Sequence, residues 1–275
     1  IATGRTLNAG SGNVLLRADE LNIAATVTGT AVTLEPRANS VGEAVRIGAA
    51  ADDALAGTLE LTSADLANIA ATTLTLGSSD TRTGTVTVAG TTDLSSVTDL
   101  SVLGDAITVD ALIDTKTPGN DGTVTLAADN GTLQLNATGV IDAGGAVSLT
   151  GSSGITTAGD VTTTGDAISF NSATTLTGNV ALDSGAAGGD IRFFSTLTTD
   201  SANTRTLEIA AGTGGVRFDG FAGGVALGDV NISQAGDVDI VAGMDAASFT
   251  QSAGSGTTTI GGGLTTTGGG TAVSI

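Results

Sequence analysis

The chain has 275 residues, a formal net charge of −19 and no Cys, His, Trp or Tyr. Disulfides, thiol chemistry, His-based triads and most zinc sites are therefore excluded. Nine basic residues scattered along the chain, with no basic patch and no aromatic stacking platform, disfavour nucleic acid, and the same negative charge disfavours anionic membranes.

From the amino terminus onward one short pattern recurs: an apolar residue, a small or polar one, an apolar one, then a Gly- or Thr-rich turn. It appears at Val14/Leu16, Val32/Leu34, Leu59/Leu61, Leu74/Leu76, Val86/Val88, Val124/Leu126 and Leu133/Leu135. It continues at Val147/Leu149, Ile168/Phe170, Ile191/Phe193, Leu207/Ile209, Val216/Phe218, Val238/Ile240 and Val273/Ile275. A period of two puts both apolar side chains on one face of a strand. No stretch carries a helical stripe over many turns. Strands this short, each with one apolar face, need to stack into a solenoid to bury it. The 42 Gly and two Pro suit an all-β chain with tight turns, and Gly does not fall at every third residue as collagen requires. A positive mean hydropathy and 40% apolar residues argue against disorder.

Two internal copies support a repeat. Gly57-Thr58-Leu59-Glu60-Leu61, followed by Asp65-Leu66, Ile69 and Leu74-Thr75-Leu76, matches Gly84-Thr85-Val86-Thr87-Val88, followed by Asp93-Leu94, Val97 and Leu100-Ser101-Val102. The offset is about 27 residues, within the range of solenoid units. Val161-Thr162-Thr163-Thr164-Gly165 before Ile168-Ser169-Phe170 matches Leu264-Thr265-Thr266-Thr267-Gly268 before Val273-Ser274-Ile275. The expected unit is a coil of roughly 20–27 residues with two or three short strands. Ten to fourteen such coils at about 4.8 Å would make a rod of roughly 50–70 Å, with like residues stacked over like. Ser63 to Leu74 has Asp65 as a possible cap and near-helical apolar spacing, but it is read, like its copy at Asp93 to Leu100, as irregular strand or turn.

Pro36 to Ala44, Ile113 to Asp121 and Thr198 to Arg205 interrupt the rhythm and are expected to leave the wall as loops. Arg37, Lys116 (the single Lys), Pro118 and Asn120 in these loops are candidate partner contacts, although tolerated surface insertions are the stronger account of the loops. All six Phe follow residue 150, which reads as a change of repeat subtype within one continuous solenoid over 1–275. Of the adjacent Phe193 and Phe194, one is expected to point in and the other out. No apolar run reaches the length of a membrane helix, and no signal peptide stands at Ile1. The chain starts without Met and stops on a strand-like run, so both ends are read as cut from a longer repeat protein.

The Thr-Thr-Gly turns before apolar triplets, as in Gly154-Ile155-Thr156-Thr157-Ala158-Gly159-Asp160-Val161-Thr162-Thr163-Thr164-Gly165, and the run Leu176-Thr177-Gly178-Asn179-Val180-Ala181-Leu182 resemble the repeat region of filamentous-haemagglutinin-like proteins. These are giant bacterial surface proteins exported by two-partner secretion. The resemblance covers nearly the whole chain and implies an extracellular or cell-surface fibre with adhesive or shielding roles. The amino-terminal secretion domain of that family is not recognisable here.

Catalysis would have to rest on carboxylates. Asp52-Asp53, Asp110/Asp114, Asp183/Asp190 and Asp237/Asp239 are the closest clusters, and paired carboxylates can cleave polysaccharides when a groove separates them. Asp121, Asp190 and Asp237 stand beside Gly-rich turns and are candidate calcium ligands, without the tandem Gly-Gly-x-Gly-x-Asp repeat of a dedicated array. Asn130, Asn136 and Asn231 begin glycan sequons that chance explains. Thr73/Thr75, Thr85/Thr87 and Thr123/Thr125 could form outward Thr rows of an ice-binding wall, although strand propensity accounts for them. The expectation is an all-β, right-handed parallel β-helix serving as a non-enzymatic rod without cofactor. Its partners would be its own neighbouring repeats, other surface molecules and laterally associated rods. A polysaccharide hydrolase or lyase is the first alternative and a cation- or ice-binding wall the second.

Overall fold

The computed structural model describes residues 1–37, 41–51, 55–94, 96–116, 121–268 and 272–275. Its chain winds into a parallel β-solenoid. One wall is a parallel ladder of eleven successive rungs, from Leu7–Asn8 to Thr258–Ile260, with Asn13–Arg17 completing the first rung. A second sheet of 18 strands turns a corner and supplies the other two walls. The strand Ala222–Gln234 makes that corner visible, because it pairs with Leu197–Thr199 through its start and with Leu207–Ala210 through its end. Hydrogen-bonded neighbours on adjacent coils lie 20 to 25 residues apart through most of the rod. Eleven rungs at about 4.8 Å give a stack of roughly 50 Å.

The recurring pairs build the interior. Leu100/Val102, Val124/Leu126, Val147/Leu149, Ile168/Phe170, Ile191/Phe193, Val216/Phe218 and Val238/Ile240 stack in register, one pair per rung. All of these side chains are buried in one hydrophobic cluster running from Val14 to Phe249. A slip of one residue would turn a whole rung's apolar pair into solvent, so each rung fixes the register of the next. Phe170, Phe193 and Phe218 stack at centroid separations of 4.7 and 5.3 Å, which is the rung spacing expressed in rings. Phe193 is 1% exposed and Phe194 is 44% exposed, the in-and-out alternation expected of a strand. At the far end Val273 and Ile275 are exposed, as the described residues place no rung beyond them.

Two expectations need correction. Ser63–Ala67 is a short α-helix rather than an irregular strand. The Thr62 hydroxyl accepts the Asp65 N–H, and the Asp65 carboxylate accepts the Thr62 N–H in return, so the helix starts on a capping box. Asp65 is thus the third helical residue, not the cap. The copy lacks this device, because aligning Asp93 on Asp65 places Gly90 opposite Thr62, and the copy runs as the strands Thr92–Asp93 and Val97–Gly104. The internal copies are also only partly neighbours. Leu74/Leu76 and Leu100/Val102 do sit on adjacent rungs. Leu59/Leu61 and Val86/Val88 do not, because Val45 and Ile47 of the strand Glu43–Ala49 lie between them. The second copy occupies different walls: Ile168–Phe170 belongs to the eleven-rung wall, whereas Val273 pairs with Phe249 in the second sheet.

The loops also depart from the sequence boundaries. Glu43 and Ala44 already belong to a strand, as do Ile113 and Asp114, and Thr198 lies within Leu197–Thr199. The third loop is Asp200–Thr204. Arg205 Nε, 2.7 Å from Asp200 Oδ1, ties the loop closed, and Asn203 N donates to the Ala226 carbonyl on the next coil. No helix of the described residues is long and apolar enough to cross a membrane.

Candidate functional site

The outward row of the eleven-rung wall is uniform through its middle: Thr75, Ser101, Thr125, Ser148 and Ser169 follow one another in register. The next three rungs replace these hydroxyls with Arg192, Arg217 and Asp239. Asp219, at the strand's end, accepts Arg192 Nε at 2.7 Å and Arg217 Nε at 2.6 Å on its two oxygens. Arg217 also donates Nη1 to Asp239 at 2.7 Å. Burial works against the charged Asp219, but the hydrogen bonds from Arg192 and Arg217 outweigh it and hold the carboxyl below the usual range. The same bonds, from Asp219 and then Asp239, push the Arg217 guanidinium up. Arg192 lies over the Phe194 ring at 4.0 Å from its centroid.

The residues just before each rung form a second row. Asp190, Gly215, Asp237 and Thr257 are consecutive in it, linked by backbone bonds from Ile191 N to Gly215 O, Val216 N to Asp237 O and Val238 N to Thr257 O. Asp190 Oδ1 accepts Gly215 N at 2.8 Å, and Asp237 Oδ1 accepts Thr257 N at 2.7 Å. Each carboxylate thereby satisfies a backbone donor of the next coil. Asp99 does the same for Thr123 N and Asp160 for Ala181 N. Gly215 leaves a gap between the two Asp side chains. The result is a surface cleft of about 480 Å³ lined by Asp190, Arg192, Gly215, Arg217, Asp237, Asp239 and neighbouring turn residues.

The coil therefore brings together Asp190, Asp237 and Asp239, which sequence spacing separates into two clusters. It does not bring Asp183 to them: Asp183 ends the strand Val180–Asp183 in the second sheet, its Oδ1 accepts Gly185 N, and it does not line the cleft. Asp121 is exposed beside the fifth rung, far from Asp190 and Asp237 at the eighth and tenth. Among the described residues no three acidic side chains converge as a metal-binding group. Asp52 and Asp53 lie outside the described residues, as do Pro118 and Asn120. Arg37 pairs with Asp19 at 2.5 Å and Lys116 Nζ with Asp142 at 3.1 Å, so both loop cations engage carboxylates of their own chain.

The sequon asparagines share one role. Asn130, Asn136 and Asn231 donate their side-chain amides to Asp105, Asp110 and Glu208 on the preceding coil. In each of the first two Thr pairs one member continues as a hydroxyl and the other does not: Thr75 meets Ser101 and Thr87 meets Thr108, whereas Thr73 meets Asp99 and Thr85 meets Ala106. The Arg–Asp ladder had a sequence signal, Arg192 and Arg217 at the centre of the successive triplets Ile-Arg-Phe and Val-Arg-Phe. Reading it required knowing that those triplets are adjacent rungs.

No family model matches the chain, and neither a curated protein nor a solved structure matches it significantly.

Proposed function

We propose that the chain is a structural rod segment of an extracellular or cell-surface bacterial protein of the filamentous-haemagglutinin-like kind, supporting adhesion or shielding rather than catalysis. The observation that carries this reading is the uninterrupted interior. One hydrophobic cluster spans the coils from Val14 to Phe249, and the wall outside it carries a plain hydroxyl row over several rungs. Such a stack is stiff along its axis because every coil is bonded to the coils on either side. The resemblance of the Thr-Thr-Gly turns supplies the surface location and the adhesive context.

The test is protease shaving of intact cells that produce the parent protein, followed by detection of this segment. The reading predicts release of the segment without cell lysis. Recovery only from the lysed cell fraction would contradict it.

Polysaccharide cleavage is the competing reading, favoured by Asp190 and Asp237 two rungs apart across the Gly215 gap, a backbone separation of about 9.6 Å. Inverting glycosidases hold their carboxylates about 6.5–9.5 Å apart. A reducing-end assay on a polysaccharide panel separates the two. The rod reading predicts no turnover, and turnover abolished by Asp190→Asn would overturn it.

A further inference from the structure

We infer that the cleft over the eighth to tenth rungs is a binding site for a neutral, hydroxyl-rich ligand, a stretch of linear glycan lying along the rod axis. The inference concerns the cleft alone and does not rest on where the rod is located.

The chemistry of the lining selects the ligand class. Arg192 uses Nε on Asp219, and Arg217 uses Nε and Nη1 on Asp219 and Asp239. Both Nη nitrogens of Arg192 and the Nη2 of Arg217 have no partner among the described residues and remain as donors. Asp190 and Asp237 each commit Oδ1 to a backbone N–H, leaving Oδ2 as an acceptor. Donors and acceptors therefore line the same groove, which is what a row of hydroxyls, each both donor and acceptor, can satisfy.

Ions fit poorly. An anion would meet Asp190, Asp237 and Asp239, and a cation would meet Arg192 and Arg217. An apolar ligand would bury these charges without partners. The groove follows the ladder, so its groups repeat at about 4.8 Å per rung, and it suits an extended chain better than a compact molecule. Phe194 does not line the groove; its ring, 44% exposed, holds Arg192 in place from the strand's other end.

Gly215 supplies a clean test. A Cβ there would meet Asp190 Oδ1 at 3.4 Å and the Asp237 carbonyl at 3.5 Å, ordinary contacts, so a side chain is tolerated by the fold while it fills the gap. The whole chain would be titrated calorimetrically with neutral linear hexasaccharides (cello-, xylo-, manno- and maltohexaose), with hexagalacturonate, with inorganic phosphate and with calcium. The proposal expects at least one neutral hexasaccharide to bind, and hexagalacturonate, phosphate and calcium to bind at least tenfold more weakly. Gly215→Val should weaken that binding at least tenfold with an unchanged melting temperature. If Gly215→Val fails to fold, amide shift mapping on the unsubstituted chain decides: shifts centred on Gly215, Gly236 and Gly256 support the site, and shifts elsewhere overturn it. No binding by any neutral hexasaccharide at millimolar concentration, equal binding by folded Gly215→Val, or tighter binding of hexagalacturonate, phosphate or calcium would each overturn it.

Discussion

A chain with 28 acidic and nine basic residues faces a particular difficulty when it stacks like over like. Two carboxylates on adjacent rungs about 4.8 Å apart repel by roughly 0.9 kcal/mol in water. Several acidic side chains avoid this by meeting a neutral donor: Asp105 meets Asn130, Glu208 meets Asn231, Asp229 meets Ser248 and Asp99 meets Thr123. Asp114 and Asp142, by contrast, are stacked directly in register, and Lys116 donates to Asp142 there. Lys116→Ala should therefore lower stability by about 0.5–1 kcal/mol at low salt and by less at 1 M salt, measured by urea titration at both ionic strengths. Asp219 carries a pH dependence. Its folded pKa lies below the usual carboxylate value, so its stabilisation is complete above about pH 4 and is lost as the pH falls further, through the lower folded value. The stability gap between the natural chain and Asp219→Asn, followed by urea melts, should be constant from pH 7 to 5 and shrink below 4. A gap that instead changed between pH 7 and 5 would contradict this.

At the scale of the element, the strands were legible and their order was not. An apolar pair with a small residue between announces a strand, and twelve of the fourteen pairs have both side chains buried. What spacing could not show is that Thr58–Thr62 folds back against the outer side of Glu43–Ala49, so that two similar strands end with a third between them. Inward threonines were hidden for a different reason. Thr157, Thr174 and Thr199 take core positions that Leu fills on other rungs, and each hydroxyl donates to a carbonyl at a nearby corner. Threonine has strand propensity on either face, so its type alone does not say which way it points. The same ambiguity concealed the helix. Asp65 was visible as a capping residue, but its second task was not: it accepts Ile23 N at 2.6 Å and so fastens the helix to an earlier coil. With Asp65 buried, Asp65→Ala should cost about 2–4 kcal/mol and Asp65→Asn less, measured by thermal melts. Equal losses for the two substitutions would show that the carboxylate's acceptors are not what holds the element.

The whole molecule behaves as one stack in which each coil is the template for the next. Removing a ring from the stacked Phe row should be felt beyond its own coil: Phe193→Ala should destabilise by about 3–5 kcal/mol and, in hydrogen exchange, loosen the rungs of Phe170 and Phe218 together. The candidate cleft exists only at this scale. Asp190, Arg217 and Asp237 lie far apart in sequence and become neighbours because successive coils place them on successive rungs. The parallel wall itself can be measured with paired spin labels, since the chain has no native Cys to compete. With one label at Thr259→Cys and the other at Ser169→Cys, Thr125→Cys or Thr75→Cys, the partners lie four, six and eight rungs away on one outward row. Backbone separations of about 19, 29 and 38 Å should appear as distances rising in even steps. Distances that fail to rise in that order, as two face-packed antiparallel sheets or a compact globule would give, would contradict the stacked coil.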